Sequence, residues 1–186
     1  LLNAAIFFDF RALHGDESLA EALRNWLDER APQEPVFLRL MAQNALDCPP
    51  PIGLIREFVF DGNKEYPHTL DLKAFGARPF VDAARIFALA LGVPYTGTAQ
   101  RLRAVAAKLA FAKDDIGAAV EGFYFIQTLR LRHQHRNAPS AEAANRIDPD
   151  SLNELERHVL REAFKQAKKL QQRLALGGGD DPGLQA

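Results

Sequence analysis

The chain has 186 residues, of which 47% are hydrophobic and 25% charged, enough for one main domain with a sizeable core. Its 23 Lys+Arg stand against 24 Asp+Glu, a formal net charge of -1, so no overall field recruits nucleic acid or anionic membrane and any anion site must be local. The single cysteine, Cys48, excludes an internal disulfide and a thiolate-rich metal site and fits the cytoplasm, and no apolar run approaches the roughly 20 residues of a membrane span.

In chain order, residues 3–10 are short, apolar and aromatic, which predicts a buried strand interrupted by Asp9. With Leu1 where a starting methionine would stand, this partnerless strand suggests a piece cut from a longer protein. Asp16 or Ser18 can cap a helix carrying Leu19, Ala22, Leu23 and Trp26 at helical spacing. A second helix over residues 35–46 stops at Pro49, Pro50 and Pro51. Residues 55–60 and 69–73 read as the two strands of a hairpin, placing Leu70 and Leu72 on one face and Asp71 and Lys73 on the other. Gly76 then allows a sharp turn into a helix over residues 79–91.

Thr96 or Thr98 caps a further helix through Leu102 and Leu109. A long helix over residues 115–136 is apolar nearly all round from Ala118 to Leu131, which predicts a central place in a bundle. After a loop, Ser151 and Glu154 form a capping box for a last helix with Leu152, Leu155, Val159, Ala163, Ala167, Leu170 and Leu174 on one stripe. Residues 177–186 carry no hydrophobic pattern and predict a disordered tail. The expected architecture is mostly α: an antiparallel bundle of about five or six helices with a small β-hairpin and an N-terminal strand.

Motifs for dinucleotides, phosphate loops, serine hydrolases and zinc proteases are absent. What remains are charged groups at the ends of apolar elements. Asp9 inside an aromatic strand needs Arg11, a backbone donor or a metal. Lys73, between strand and helix mouth, can hold a phosphate beside helix amides or pair with Asp71 or Asp82. Arg130 leaves the apolar stretch directly and needs an acceptor, with His133 and Gln134 on its face and Arg132, His135 and Arg136 on another. Asp82 and Arg85 can pair locally, Arg101 and Arg103 can simply solvate their helix, and Cys48 reads as inert.

Taken together, residues 6–11, Gly15, residues 50–53, Leu70-Asp71-Leu72-Lys73 with Gly76, Arg85, Thr98 with Arg101-Leu102, and residues 129–134 resemble the nucleotidyltransferase substrate-binding domain family over residues 6–174. The resemblance implies a helical domain that follows a nucleotidyltransferase domain in bacterial signal-transduction proteins with cyclic-nucleotide-binding and CBS domains, similar to protein-PII uridylyltransferase. It implies residues 1–11 as the last strand of a truncated catalytic domain, residues 12–176 as the substrate-binding domain and residues 177–186 as a tail. Asp9 is then similar in position to the third metal-binding carboxylate. Arg11, Asp71, Lys73, Arg85, Arg101, Arg130 and His133 would face nucleotide or acceptor. Mg2+ and a nucleoside triphosphate are the implied cofactors of the full-length parent, and this chain alone would be inactive. Lys73 and Arg130 are expected to converge on one anion-binding cleft.

Two rival readings stand beside this one. A docking or homodimerisation module would use exposed apolar surface to bind a partner. A helical ribonuclease would use the Arg-x4-His spacing of Arg130 and His135, against which stands the lack of a basic excess for RNA.

Overall fold

The computed structural model describes residues 7–53, 57–137, 140 and 142–177. Among them are the helices α1 (Glu17–Arg30), α2 (Pro35–Leu46), α3 (Arg78–Ala90), α4 (Thr98–Ala106), α5 (Lys113–Asn137) and α6 (Glu154–Gly177). Two short strands, β1 (Leu70–Asp71) and β2 (Arg146–Ile147), pair antiparallel with Leu70 opposite Ile147 and Asp71 opposite Arg146. The chain is thus mostly α with one small sheet, the class that its periodicity implies. It divides into two compact units, one of Leu1–Asp47, Val81–Ile116 and Gln172–Ala186, the other of Cys48–Phe80 and Gly117–Gln171.

In the first unit, Asp16 caps α1 by accepting the Ser18 N–H at 2.9 Å, as its position before the apolar stripe suggests. Pro32 and Pro35 confine the next turn to a 3-10 helix and open α2 at its first position, where a missing N–H is no loss. The core gathers Leu27, Met41, Ala45, Phe87, Leu102 and Val105. Gly92 sits at φ 57°, and a Cβ there would meet Asp28 O at 2.8 Å, so only glycine fits this turn. The expected buried stripe of α1 is not buried. Leu19 is 75% and Trp26 57% exposed, and the α1 side chain that is packed is Leu27.

The predicted strand over residues 3–10 is corrected where it is described. Phe7 is helical, Phe8 and Asp9 form a turn, and the Phe10 N–H donates to Phe7 O at 3.3 Å. The carbonyls of Phe8 and Phe10 accept instead from Arg24, at 2.8 and 2.6 Å, so side-chain donors stand where a neighbouring strand would be. Residues 1–6 of that strand and residues 178–186 of the expected tail lie outside the described residues.

In the second unit, the expected hairpin is replaced by a non-local pair. β1 finds β2 rather than residues 55–60, of which Ile55 and Arg56 lie outside the described residues and 58–60 make no ladder. Lys73 therefore does not lie on a strand. Leu72–Ala77 is a π-helix whose N-cap Asp71 accepts from the N–H groups of Lys73 and Ala74 at 2.8 and 2.9 Å. Gly76 is no turn residue either: its missing Cβ admits Ile126 Cγ2, which would stand 3.2 Å from one. On α5, Phe123, Ile126 and Leu129 are buried, but Tyr124 and Leu131 are exposed, so the helix has an outer face after all. The cap of α6 lies two residues beyond the expected one. Asn153 Oδ1 accepts from Glu156 N at 2.9 Å, and Glu156 Oε2 accepts from Asn153 N at 3.4 Å.

Candidate functional site

Each unit carries one cluster of charged side chains that the sequence reading singled out. In the first unit, three helices bring guanidinium groups to the turn at Asp9. Arg85 of α3 donates to Asp9 Oδ2 at 2.5 Å and to Oδ1 at 3.3 Å, while a third N–H reaches Asp82 Oδ1 at 2.9 Å. Arg101 of α4 donates to Asp9 Oδ1 at 2.6 Å, to Tyr95 O at 2.6 Å and to Phe8 O at 3.3 Å. Arg24 of α1 holds the two carbonyls already named and lies 4.3 Å over the Phe10 ring. Arg101 is only 2% and Arg85 6% exposed, so each needs these acceptors.

Electrostatics follow from that crowding. Burial pushes the Asp9 carboxyl up, but hydrogen bonds from Arg85 and Arg101, with their charges, outweigh it and hold the group below its ordinary value. Burial lowers Arg101; the Asp9 hydrogen bond and charge oppose this, and repulsion from Arg85 and Arg24 adds to it. Asp28 is raised by burial despite the charges of Arg24 and Arg101, and its buried Oδ2 has no hydrogen-bond partner. A groove of about 300 Å³ adjoins the turn, lined by Arg11 and Arg24, by the carboxylates of Glu17 and Glu21, and by Phe10 and Thr96. Arg11 is exposed, and the expected Asp9–Arg11 pair gives way to Arg85 and Arg101 because the two helices deliver their donors directly onto the carboxylate.

In the second unit, Arg130 donates through Nε and Nη2 to Asn145 Oδ1, at 3.2 and 2.8 Å, and through Nη1 to Gln127 Oε1 at 2.6 Å. These acceptors are neutral. Burial lowers the Arg130 guanidinium, and the charge of Asp71 offsets part of that. His133 Nε2 lies 3.1 Å from Ala143 O, a carbonyl that only accepts, so this nitrogen carries the proton. Gln134 reaches Asn145 Oδ1 at 3.4 Å, so Arg130, His133 and Gln134 do share one face, turned to residues 143–145. Lys73 is exposed. The two helix amides expected beside a phosphate at Lys73 are instead taken by Asp71, so the helix mouth already holds a negative charge. Lys73 offers a point charge alone.

Sequence reasoning missed Arg24 and Arg146. Arg146, 7% exposed on β2, donates to Asp61 at 2.7 and 3.3 Å, lies 5.6 Å from the Tyr66 ring centroid and has its Nε 3.6 Å from Glu142. Its guanidinium is raised by the Asp61 hydrogen bond first, against burial, with the charges of Asp61, Asp71 and Glu142 adding to it. Arg146 stands beside Ile147 in an otherwise polar loop, which carries no signal comparable to the carboxylate of Asp9 inside an aromatic run. Cys48 takes an Arg78 N–H at 3.2 Å on its sulfur and a Gln171 N–H at 3.0 Å on its carbonyl, a packing role.

The metal that the resemblance implies would be shared with a catalytic domain, and by themselves the described residues offer it no free ligand set. Both Asp9 oxygens are occupied by guanidinium groups that a divalent cation would have to displace, and no group of three or more His, Cys, Asp or Glu side chains among the described residues could hold one. Nor is any helix among the described residues long and apolar enough to cross a membrane. Comparison with curated proteins and with solved structures gave no match. Residues 35–177 match a family from α2 to the end of α6, leaving α1 and the Asp9 turn outside the matched span. The chain belongs to that family, described as putative nucleotidyltransferase substrate binding domain.

Proposed function

We propose that this chain is the substrate-binding helical domain of a metal-dependent nucleotidyltransferase similar to protein-PII uridylyltransferase, positioning nucleotide and acceptor for a catalytic domain of the same protein. The observation that carries the reading is the family match over residues 35–177. Within that span, Arg130 is held by amide oxygens and not by a carboxylate hydrogen bond, which leaves its charge less neutralised than those of Arg85 or Arg146, and Lys73 is exposed. Cationic side chains of this kind stabilise the charge of a transferring phosphoryl group and its leaving pyrophosphate. Lys73 and Arg130 bind the phosphates in this reading, and His133 orders the loop that fixes Arg130. Asp71 is a positioning residue, since its carboxylate caps the turn bearing Lys73 and its charge reaches Arg130. The metal belongs to the catalytic domain. The Arg-x4-His nuclease has less support, because the chain carries no basic excess for RNA.

The test is to incubate the chain, alone and as part of the parent protein, with each labelled nucleoside triphosphate and cell extract. Label should move to an acceptor only with the parent, and a protein acceptor is the uridylyltransferase-like outcome. Transfer by the chain alone, or none by the parent with any nucleotide, would overturn the reading. A second reading, a docking or dimerisation module, draws on the exposed Leu19, Leu23 and Trp26 of α1 and Val36 and Leu40 of α2.

A further inference from the structure

We infer that Arg24, Arg85 and Arg101 form an oxyanion site, and that the Phe8–Phe10 turn fills it from within, the Asp9 carboxylate standing where a phosphate-type anion binds. Six hydrogen bonds join the three guanidinium groups to this turn, and every acceptor on it is an oxygen: two from the Asp9 carboxylate, the rest carbonyls of Phe8 and Phe10. Three cations from three helices meeting on so few residues is more positive charge than the turn carries. Asp9 contributes one negative charge and Asp82 a second through Arg85, and Arg101 is still repelled by Arg85 and Arg24. Asp28 adds a third carboxylate, which acts on Arg24 and Arg101 through its charge while its buried Oδ2 makes no hydrogen bond.

The turn is also only part-anchored. Phe8 is buried against Phe37, with ring centroids 5.7 Å apart, but Phe7 is half-exposed and residues 11–17 are exposed throughout. Lifting it would open the Arg85 and Arg101 donors toward the groove that Arg24 and Phe10 already line. A phosphate or the end of a polyphosphate offers the same set of converging oxygens with one or more further charges, so it competes with Asp9 on better electrostatic terms. Asp9 then acts as an internal competitor that sets how tightly this site takes an anion.

The choice of phosphate rests on the substrate-binding reading; the arginine site itself does not. Titration of the full chain with inorganic pyrophosphate and, separately, with ATP distinguishes a free anion from a nucleotide. In Asp9→Asn and Asp9→Ala the pyrophosphate dissociation constant should fall by about tenfold or more, because an internal competitor that occupies the site scales the apparent affinity by the fraction left open. Adding Arg101→Lys should remove the gain, and Lys73→Ala should leave it intact. That last control separates failure here from failure of the Lys73 and Arg130 assignment. In the unaltered chain, saturating pyrophosphate should lower amide exchange protection at Phe10, a readout that does not depend on any variant folding. Unchanged affinity in folded Asp9→Asn, a gain that survives Arg101→Lys, or unchanged Phe10 exchange under saturating pyrophosphate would each overturn the inference.

Discussion

Two glycines of α5 should respond to the same substitution with opposite sign. Gly122 is buried where α5 meets α6, and a Cβ there would stand 3.1 Å from both Cα and Cβ of Ala163 and 3.6 Å from Phe80 Cζ. Gly117, one and a half turns earlier, is exposed with nothing within 4 Å of its Cβ position. In both, alanine removes the backbone-entropy cost of a helical glycine, about 0.5–1 kcal/mol in favour of the variant. At Gly117 nothing opposes this. At Gly122 the obstacle includes the backbone of a packed helix, which cannot rotate aside, so overpacking of about 1–3 kcal/mol outweighs the gain. A kcal/mol is worth about 2–4 °C in a chain of this size. Gly117→Ala should therefore melt about 1–4 °C higher, and Gly122→Ala, with a net cost of up to about 2.5 kcal/mol, up to about 10 °C lower by calorimetry. A Gly122→Ala variant as stable as Gly117→Ala would refute the close α5–α6 approach.

Other expectations concern the charged clusters and one cap. The Asp9 carboxyl is held below its ordinary value in the folded chain, so its contribution is present above the unfolded value near pH 4 and is lost as pH falls through the lower, folded one. The acid limb of a stability profile should be shallower in Asp9→Asn, and an unchanged limb would contradict the two guanidinium contacts. Asp28 is raised by burial, so its ionisation opposes folding above its pKa, and Asp28→Asn should melt higher at pH 7 but not at pH 3. Arg146→Met strands Asp61 and should cost about 1–3 kcal/mol in urea unfolding, discounted from the fully buried case because Asp61 is partly exposed; full stability would show the pair to be idle. Asn153→Ala removes the α6 cap and should cost about 1 kcal/mol, whereas Ser151→Ala should cost little.

Local patterns were legible and long-range pairings were not. The helices follow from apolar spacing and from Asp16, Pro35 and the proline run, each acting within one turn of the element that it delimits. Leu70-Asp71 is recognisable as a strand, but its partner Arg146–Ile147 lies in a polar loop without alternation, so the nearer apolar run at residues 55–60 reads as the partner instead. Because Leu72 starts a π-helix, the alternation argument for Lys73 had no strand to act on. At the first cluster, the sequence named Asp9, Arg85 and Arg101 as candidates yet could not pair residues 76 and 92 positions apart. The stripe of α1 shows the converse limit: spacing defines a face, not what covers it.

The central claim, that this domain presents cationic side chains to a nucleotide, is tested most directly by calorimetric titration of the chain with nucleoside triphosphates at low and high salt. Binding should weaken as ionic strength rises, and Arg130→Gln should weaken it about tenfold or more, the loss expected for one charged hydrogen-bonding group, with the melting of Lys73→Ala unchanged and its affinity reduced. Salt-insensitive binding, or equal affinity in Arg130→Gln, Lys73→Ala and the unaltered chain, would contradict the account.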